Sequence, residues 1–85
     1  MAIEILYFAW VREAIGRGGE RVDPPADVTT VAGLVDWLAT RGGCYATAFE
    51  HRERLRAAVD QAFVPLDTAI AGAREIAIFP PVTGG

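Results

Sequence analysis

The sequence predicts an α+β domain: a mixed sheet with one main helix packed on one face and an extended C-terminal tail. Three observations predict it. Residues 2–10 ("AIEILYFAW") and 75–79 ("EIAIF") are rich in β-branched and aromatic types, and each carries a carboxylate that sorts alternate side chains onto two faces. Residues 29–43 ("TTVAGLVDWLATRGG") set Val31, Leu34, Val35 and Leu38 at the spacing of one buried helical stripe. The order strand, strand, helix, strand, short strand, strand reads as a hairpin, a crossover helix and further strands, which closes into a mixed sheet with its helix on one side.

In residues 2–10, Glu4, Leu6, Phe8 and Trp10 share one face, and Ile3, Ile5 and Tyr7 share the other. The face carrying a carboxylate is the wet one. Ile3 and Ile5 are therefore core candidates, and Leu6 and Phe8 become exposed apolar candidates. "GRGGE" (16–20) is a turn cluster. "ERVDPP" (20–25) is a second strand closed by two prolines, which suits an edge or a strand end, and it pairs with the first as a hairpin.

Thr29 or Thr30 caps the helix, Gly42 and Gly43 stop it, and Gly33 inside it marks close packing on the sheet. Residues 45–55 are polar and partly helical. Residues 56–70 read as a strand, a tight turn near Asp60 and Gln61, a short strand and a loop. In the last strand Ile76 and Ile78 face the core, while Glu75, Ala77 and Phe79 face out.

The chain of 85 residues supports one small domain and no more. We place the domain at 1–79 and the tail at 80–85. Cys44 is the only cysteine, so no internal disulfide forms, and a single thiol fits a reducing, cytoplasmic setting. A net charge of -3 argues against nucleic acid as a partner. No apolar run reaches the length of a membrane span, and the start, with Glu4 and no basic region, does not read as a signal peptide.

Enzyme constellations are missing. There is no metal-ligand spacing. A phosphate loop needs a lysine, and all eight basic residues are Arg. Cys44 and His51 could be drawn as nucleophile and base. The ordinary reading is a lone thiol past a helix and a solvated histidine within "EHRER" (50–54), itself a solvated charged face.

The tail "FPPVTGG" is different. Pro80 and Pro81 fix φ and send it stiffly away from the last strand. Extended, the stretch beyond Phe79 reaches roughly 20 Å. Gly84 and Gly85 lack side chains, so the tip fits a narrow tunnel. Its functional group is the Gly85 carboxylate. A free carboxylate is a poor electrophile. Activated as an acyl-adenylate it becomes a good one, and sulfide transfer then leaves a thiocarboxylate. The ordinary reading is a frayed terminus that ends in glycine.

Three stretches carry a family resemblance: "FAWVREAIG" (8–16), "AAVDQAFVPLD" (57–67) and "IAIFPPVTGG" (76–85). Together they resemble the small subunit of molybdopterin synthase, the MoaD-type sulfur carriers. The resemblance covers nearly the whole chain, though residues 40–55 carry little of it. It implies a ubiquitin-like β-grasp fold. It implies that a MoeB-like enzyme adenylates Gly85 using ATP, with no cofactor bound by the chain itself. It also implies that the thiocarboxylated tail (Pro80, Pro81, Val82, Thr83, Gly84, Gly85) enters a MoaE-like large subunit. There sulfur passes to cyclic pyranopterin monophosphate. Two carriers serve each product in a heterotetramer, and the catalytic side chains belong to the large subunit.

Carried over by motif position, the family's docking patch falls on Phe8, Phe63 and Phe79. Strand alternation had placed Phe8 and Phe79 on outward faces already. The bland reading of each phenylalanine is core packing. Two departures stand out: Asp60 replaces a common Asn, and "AGARE" (71–75) replaces a common D-G-D-E turn, with Gly72 serving one position early. Absence of Lys would protect an activated C-terminus from self-acylation; its bland reading is codon bias. The alternatives are a carrier for thiamine thiazole, tRNA thiolation or amino-acid sulfur, a ubiquitin-like protein modifier, and a plain binding module.

Overall fold

The structure, a computed structural model, describes residues 2–81. The first strand, β1, spans Ile3–Tyr7, and its burial alternates: Ile3, Ile5 and Tyr7 are buried, and Glu4 and Leu6 less so. The carboxylate sorted the faces correctly. The strand is shorter than expected, however. Phe8 is extended, and the chain then turns at Ala9, with φ of 53°, into a helix, α1, over Ala9–Ile15. Trp10 is therefore a helical residue and not a fourth outward strand position. The unbroken apolar run hid the change of period. Val11 and Ile15, four apart, are the buried stripe of α1.

Strand β2, Gly19–Val22, pairs antiparallel with β1, but α1 joins the two in place of a tight hairpin turn. Gly19 sits where a Cβ would come within 2.8 Å of the Ile5 carbonyl oxygen, so only glycine allows this approach. The sheet is completed by β3 (Arg56–Val59), β4 (Ala62–Val64) and β5 (Glu75–Phe79), in the order β2-β1-β5-β3-β4. Central β1 and β5 run parallel, with Ile5 opposite Ile76; the other pairs are antiparallel. Strand β2 is an edge, as its two following prolines indicated.

The main helix, α2, spans Val31–Ala39 and buries Val31, Leu34, Val35 and Leu38 completely. Each such side chain contributes about 1.5–3 kcal/mol by leaving water. Thr30 is the cap; its hydroxyl accepts from the Gly33 N–H at 3.0 Å. The other free N–H groups of the first turn are met by the loop before β5: Val31 donates to Thr68 O and Ala32 to Leu66 O. Gly33 does not pack on the sheet. A Cβ there would meet the Thr30 hydroxyl and Val28.

The helix ends at Thr40 and not at the glycine pair. Gly42 instead caps a further helix, α3, over Gly43–Ala48. A 3₁₀ turn follows at Arg52–Arg54. All three helices lie on one side of the sheet. Their apolar residues join Ile3, Ile5, Tyr7, Ile76 and Ile78 in one core, where Phe49 meets the Tyr7 ring. This is the ubiquitin-like β-grasp that the resemblance implies, with α1 and α3 added to the main helix. Gly72 takes a φ of 77° in the turn before β5, as expected. Among the described residues no helix is long and apolar enough to cross a membrane.

Candidate functional site

The helices leave the other face of the sheet uncovered. Register sets its residues in a row: Leu6 stands beside Ala77, Ala77 beside Ala58, and Ala58 beside Phe63. The two alanines make a low floor, and larger side chains stand around it. Phe63 is 78% exposed and Phe8 47% exposed. Phe79, half-buried at the end of β5, touches Phe63 with ring centroids 5.4 Å apart. Pro80 and Pro81 continue the wall. The result is an open concavity of about 650 Å³.

The structure thus brings Phe8, Phe63 and Phe79 together at the mouth of the tail, with Pro80 and Pro81 beside them. Phe63, for which alternation gave no face, is the most exposed of the three. Val82, Thr83, Gly84 and Gly85 lie outside the described residues. Leu6, Ala58 and Ala77 belong to the same surface. Leu6 was legible from alternation, but the alanines emerge only once the strands are in register.

The wall is almost wholly apolar; Gln61 and Glu75 are its polar members. Such a surface binds by excluding water and offers no nucleophile–base pair. Among the described residues no group of three or more His, Cys, Asp or Glu could hold a metal ion. Cys44 hydrogen-bonds to the Ile15 carbonyl, and His51 faces Glu53 at 3.3 Å, so the two do not engage each other. The charged run is not simply solvated. Arg52 grips one oxygen of Asp36 through Nε at 2.9 Å and Nη2 at 2.6 Å, tying the 3₁₀ turn to α2.

A polar cluster on the helix side was invisible in the sequence. Glu20, its side chain only 10% exposed, accepts from Tyr7 at 2.8 Å, Tyr45 at 2.6 Å and Arg41 at 2.8 Å. Arg41 also lies over the Trp37 and Tyr45 rings. Burial alone would raise the Glu20 pKa, but the hydrogen bonds from Tyr45, Arg41 and Tyr7 outweigh it and hold the carboxyl below its usual value. Burial, then the bond to Glu20, pushes the Tyr7 hydroxyl well above the ordinary tyrosine range. These partners are 13 to 25 residues apart along the chain, which is why no local signal marked them. The cluster staples β2 to β1 and α3 and takes no part in the open face.

Comparison with known proteins agrees with this geometry. The chain is 41% identical over 83 residues to the molybdopterin synthase sulfur carrier subunit of Escherichia coli, covering 98% of this chain and 99% of that one. The subunits of the same name from Haemophilus influenzae and Mycobacterium tuberculosis are 37% and 34% identical, at 98% coverage of this chain and 99% and 96% of theirs. Among solved structures, SAMP1 from Haloferax volcanii superposes with a TM-score of 0.72 at 28% identity, covering all of both chains. A putative molybdopterin converting factor subunit 1 from Pyrococcus furiosus gives 0.73 at 20% identity, covering 96% of this chain and 99% of that one, and shares the fold. The ThiS family model matches residues 5–85, and the chain belongs to the ThiS family.

Proposed function

We propose that this protein is the sulfur-carrier subunit of a molybdopterin synthase. The observation that carries the reading is the apolar face of Phe8, Phe63 and Phe79 at the root of the Pro80–Pro81 exit, in a chain that matches carriers of that name nearly end to end. The Gly85 carboxylate attacks the α-phosphate of ATP in a MoeB-like activating enzyme and releases pyrophosphate. A sulfur donor then displaces AMP and leaves a thiocarboxylate. The open face docks on a MoaE-like large subunit, and the arm from Pro80 through Val82, Thr83 and Gly84 carries Gly85 to cyclic pyranopterin monophosphate. The chain contributes reach and docking, and the large subunit contributes the catalytic side chains. Two carriers flank a large-subunit dimer. The single cysteine supports a cytoplasmic setting.

The test is intact mass after incubation with ATP, the activating enzyme and a sulfur donor. The expected product gains the difference between sulfur and oxygen at its C-terminus. No change, under conditions that activate a control carrier, overturns the proposal. Deletion of Gly85 abolishes transfer and leaves the fold unchanged. A second reading, attachment to lysines of other proteins, is favoured by the likeness to a structure named small archaeal modifier protein 1, at a TM-score of 0.71 and 28% identity. Lysine-linked adducts in the same mixture would identify it.

A further inference from the structure

We infer that Asp60 is a positioning residue of the docking face, holding Phe63 against Phe79 by clamping the β3–β4 turn onto the start of β5. This rests on the docking reading above and adds a residue to it. The turn is a two-residue hairpin whose central residues, Asp60 and Gln61, have φ of 49° and 73°. Such turns match the twist of a sheet and usually recruit glycine for their positive φ. Neither residue here is glycine, so something else must hold the conformation. The Asp60 carboxylate does so. One oxygen accepts the backbone N–H groups of both Arg74 and Glu75 at 3.0 Å, and the Asp60 N–H donates to the Glu75 carbonyl at 2.8 Å.

These three bonds join the tip of the hairpin to Arg74 and Glu75, at the start of the strand that ends in Phe79. Strand β4 lies at the sheet edge and pairs with β3 alone. Its central residue, Phe63, projects into solvent and is met by the Phe79 ring. The neighbouring Gln61 and Glu75 line the same concavity. Loosening the turn therefore lets the Phe63 wall swing away from the alanine floor, while the core on the other side of β3 stays packed.

Asp60→Gly separates the two roles of this residue, because glycine keeps the positive φ and removes the two bonds made by the carboxylate. Asp60→Asn keeps an acceptor oxygen at the same place. The assay is sulfur transfer from each thiocarboxylated full-length variant to cyclic pyranopterin monophosphate on the large synthase subunit of the same organism. Asp60→Gly should raise the KM for the carrier about tenfold with kcat within about twofold, the mark of lost docking. Asp60→Asn should restore the wild-type value. Amide exchange of Arg74 and Glu75 should speed up in the glycine variant only.

Val35→Ala, a core change on the helix side, is the stability control: it should lower Tm and leave KM unchanged. An unchanged KM in Asp60→Gly, or an equal rise in Val35→Ala, overturns the inference. Phe63→Ala is measured beside them. If it raises KM while Asp60→Gly does not, the clamp alone is wrong. If neither raises KM, the docking reading fails and takes the clamp with it.

Discussion

The two faces of this sheet are built from the same strands, residue by alternate residue, and they are finished differently. On one, Ile3, Ile5, Tyr7, Ile76 and Ile78 are sealed under three helices. On the other, Leu6, Ala77, Ala58 and Phe63 have no helix over them. The helix side closes its polar edge with a hydrogen-bonded carboxylate, Glu20. The open side keeps aromatic rings in water next to the exit of the tail. Period-two alternation thus lets one short sheet seal a core on one face and leave an apolar surface open on the other, with burial and exposure falling to different residues of the same strand.

This division can be broken by mutation. Leu38→Ala, on the sealed side, should cost about 2–5 kcal/mol of stability in urea unfolding. Its folded fraction should still dock with normal affinity. Phe63→Ala, on the open side, should weaken binding to the large subunit by about 2 kcal/mol in calorimetry. Its stability loss should stay under about 1 kcal/mol, the scale of one cross-strand aromatic pair. If Phe63→Ala unfolded the protein as readily as Leu38→Ala, the two faces would not be separable.

The polar staple gives a third test. Glu20 is held below its ordinary carboxyl value of 4.5, so its contribution is present above that pH and is lost as pH falls through the depressed value. Tyr7 and Tyr45 are raised above 10.0, so theirs is present below that pH and fades as pH rises toward the raised values. Stability measured against pH should be flat between these limits and fall on both sides. Glu20→Gln should reduce the acid-side fall without altering docking. The smallest effect is expected from Thr30→Ala, which removes the α2 cap and should lower unfolding stability by about 1 kcal/mol.

Legibility in the sequence followed the range of the interaction. Glu4 and Glu75 sorted their strands because alternation is local, and Val31, Leu34, Val35 and Leu38 revealed α2 for the same reason. The turn at Asp60 and Gln61 was legible by position, but its clamp to Arg74 and Glu75 spans the β4 strand and a loop. Helix α1 was missed because residues 5–10 ("ILYFAW") are apolar throughout, so nothing in that run marks the passage from strand to helix at Phe8. The end of α2 was misplaced because Gly42 serves the next helix. Family motifs brought Phe63 to the open face, where alternation had no carboxylate on β4 to sort it.

The position of β5 has a consequence for biosynthesis. It lies between β1 and β3, so without it the sheet falls into two separate pairs, β2-β1 and β3-β4. Its parallel partner is β1, so two strands far apart along the chain must meet before the middle of the sheet exists. A nascent chain cannot assemble the sheet until Phe79 has left the ribosome. The open face and the Pro80–Pro81 exit are therefore completed in the same event, and a chain truncated before the end of β5 would not present a finished face.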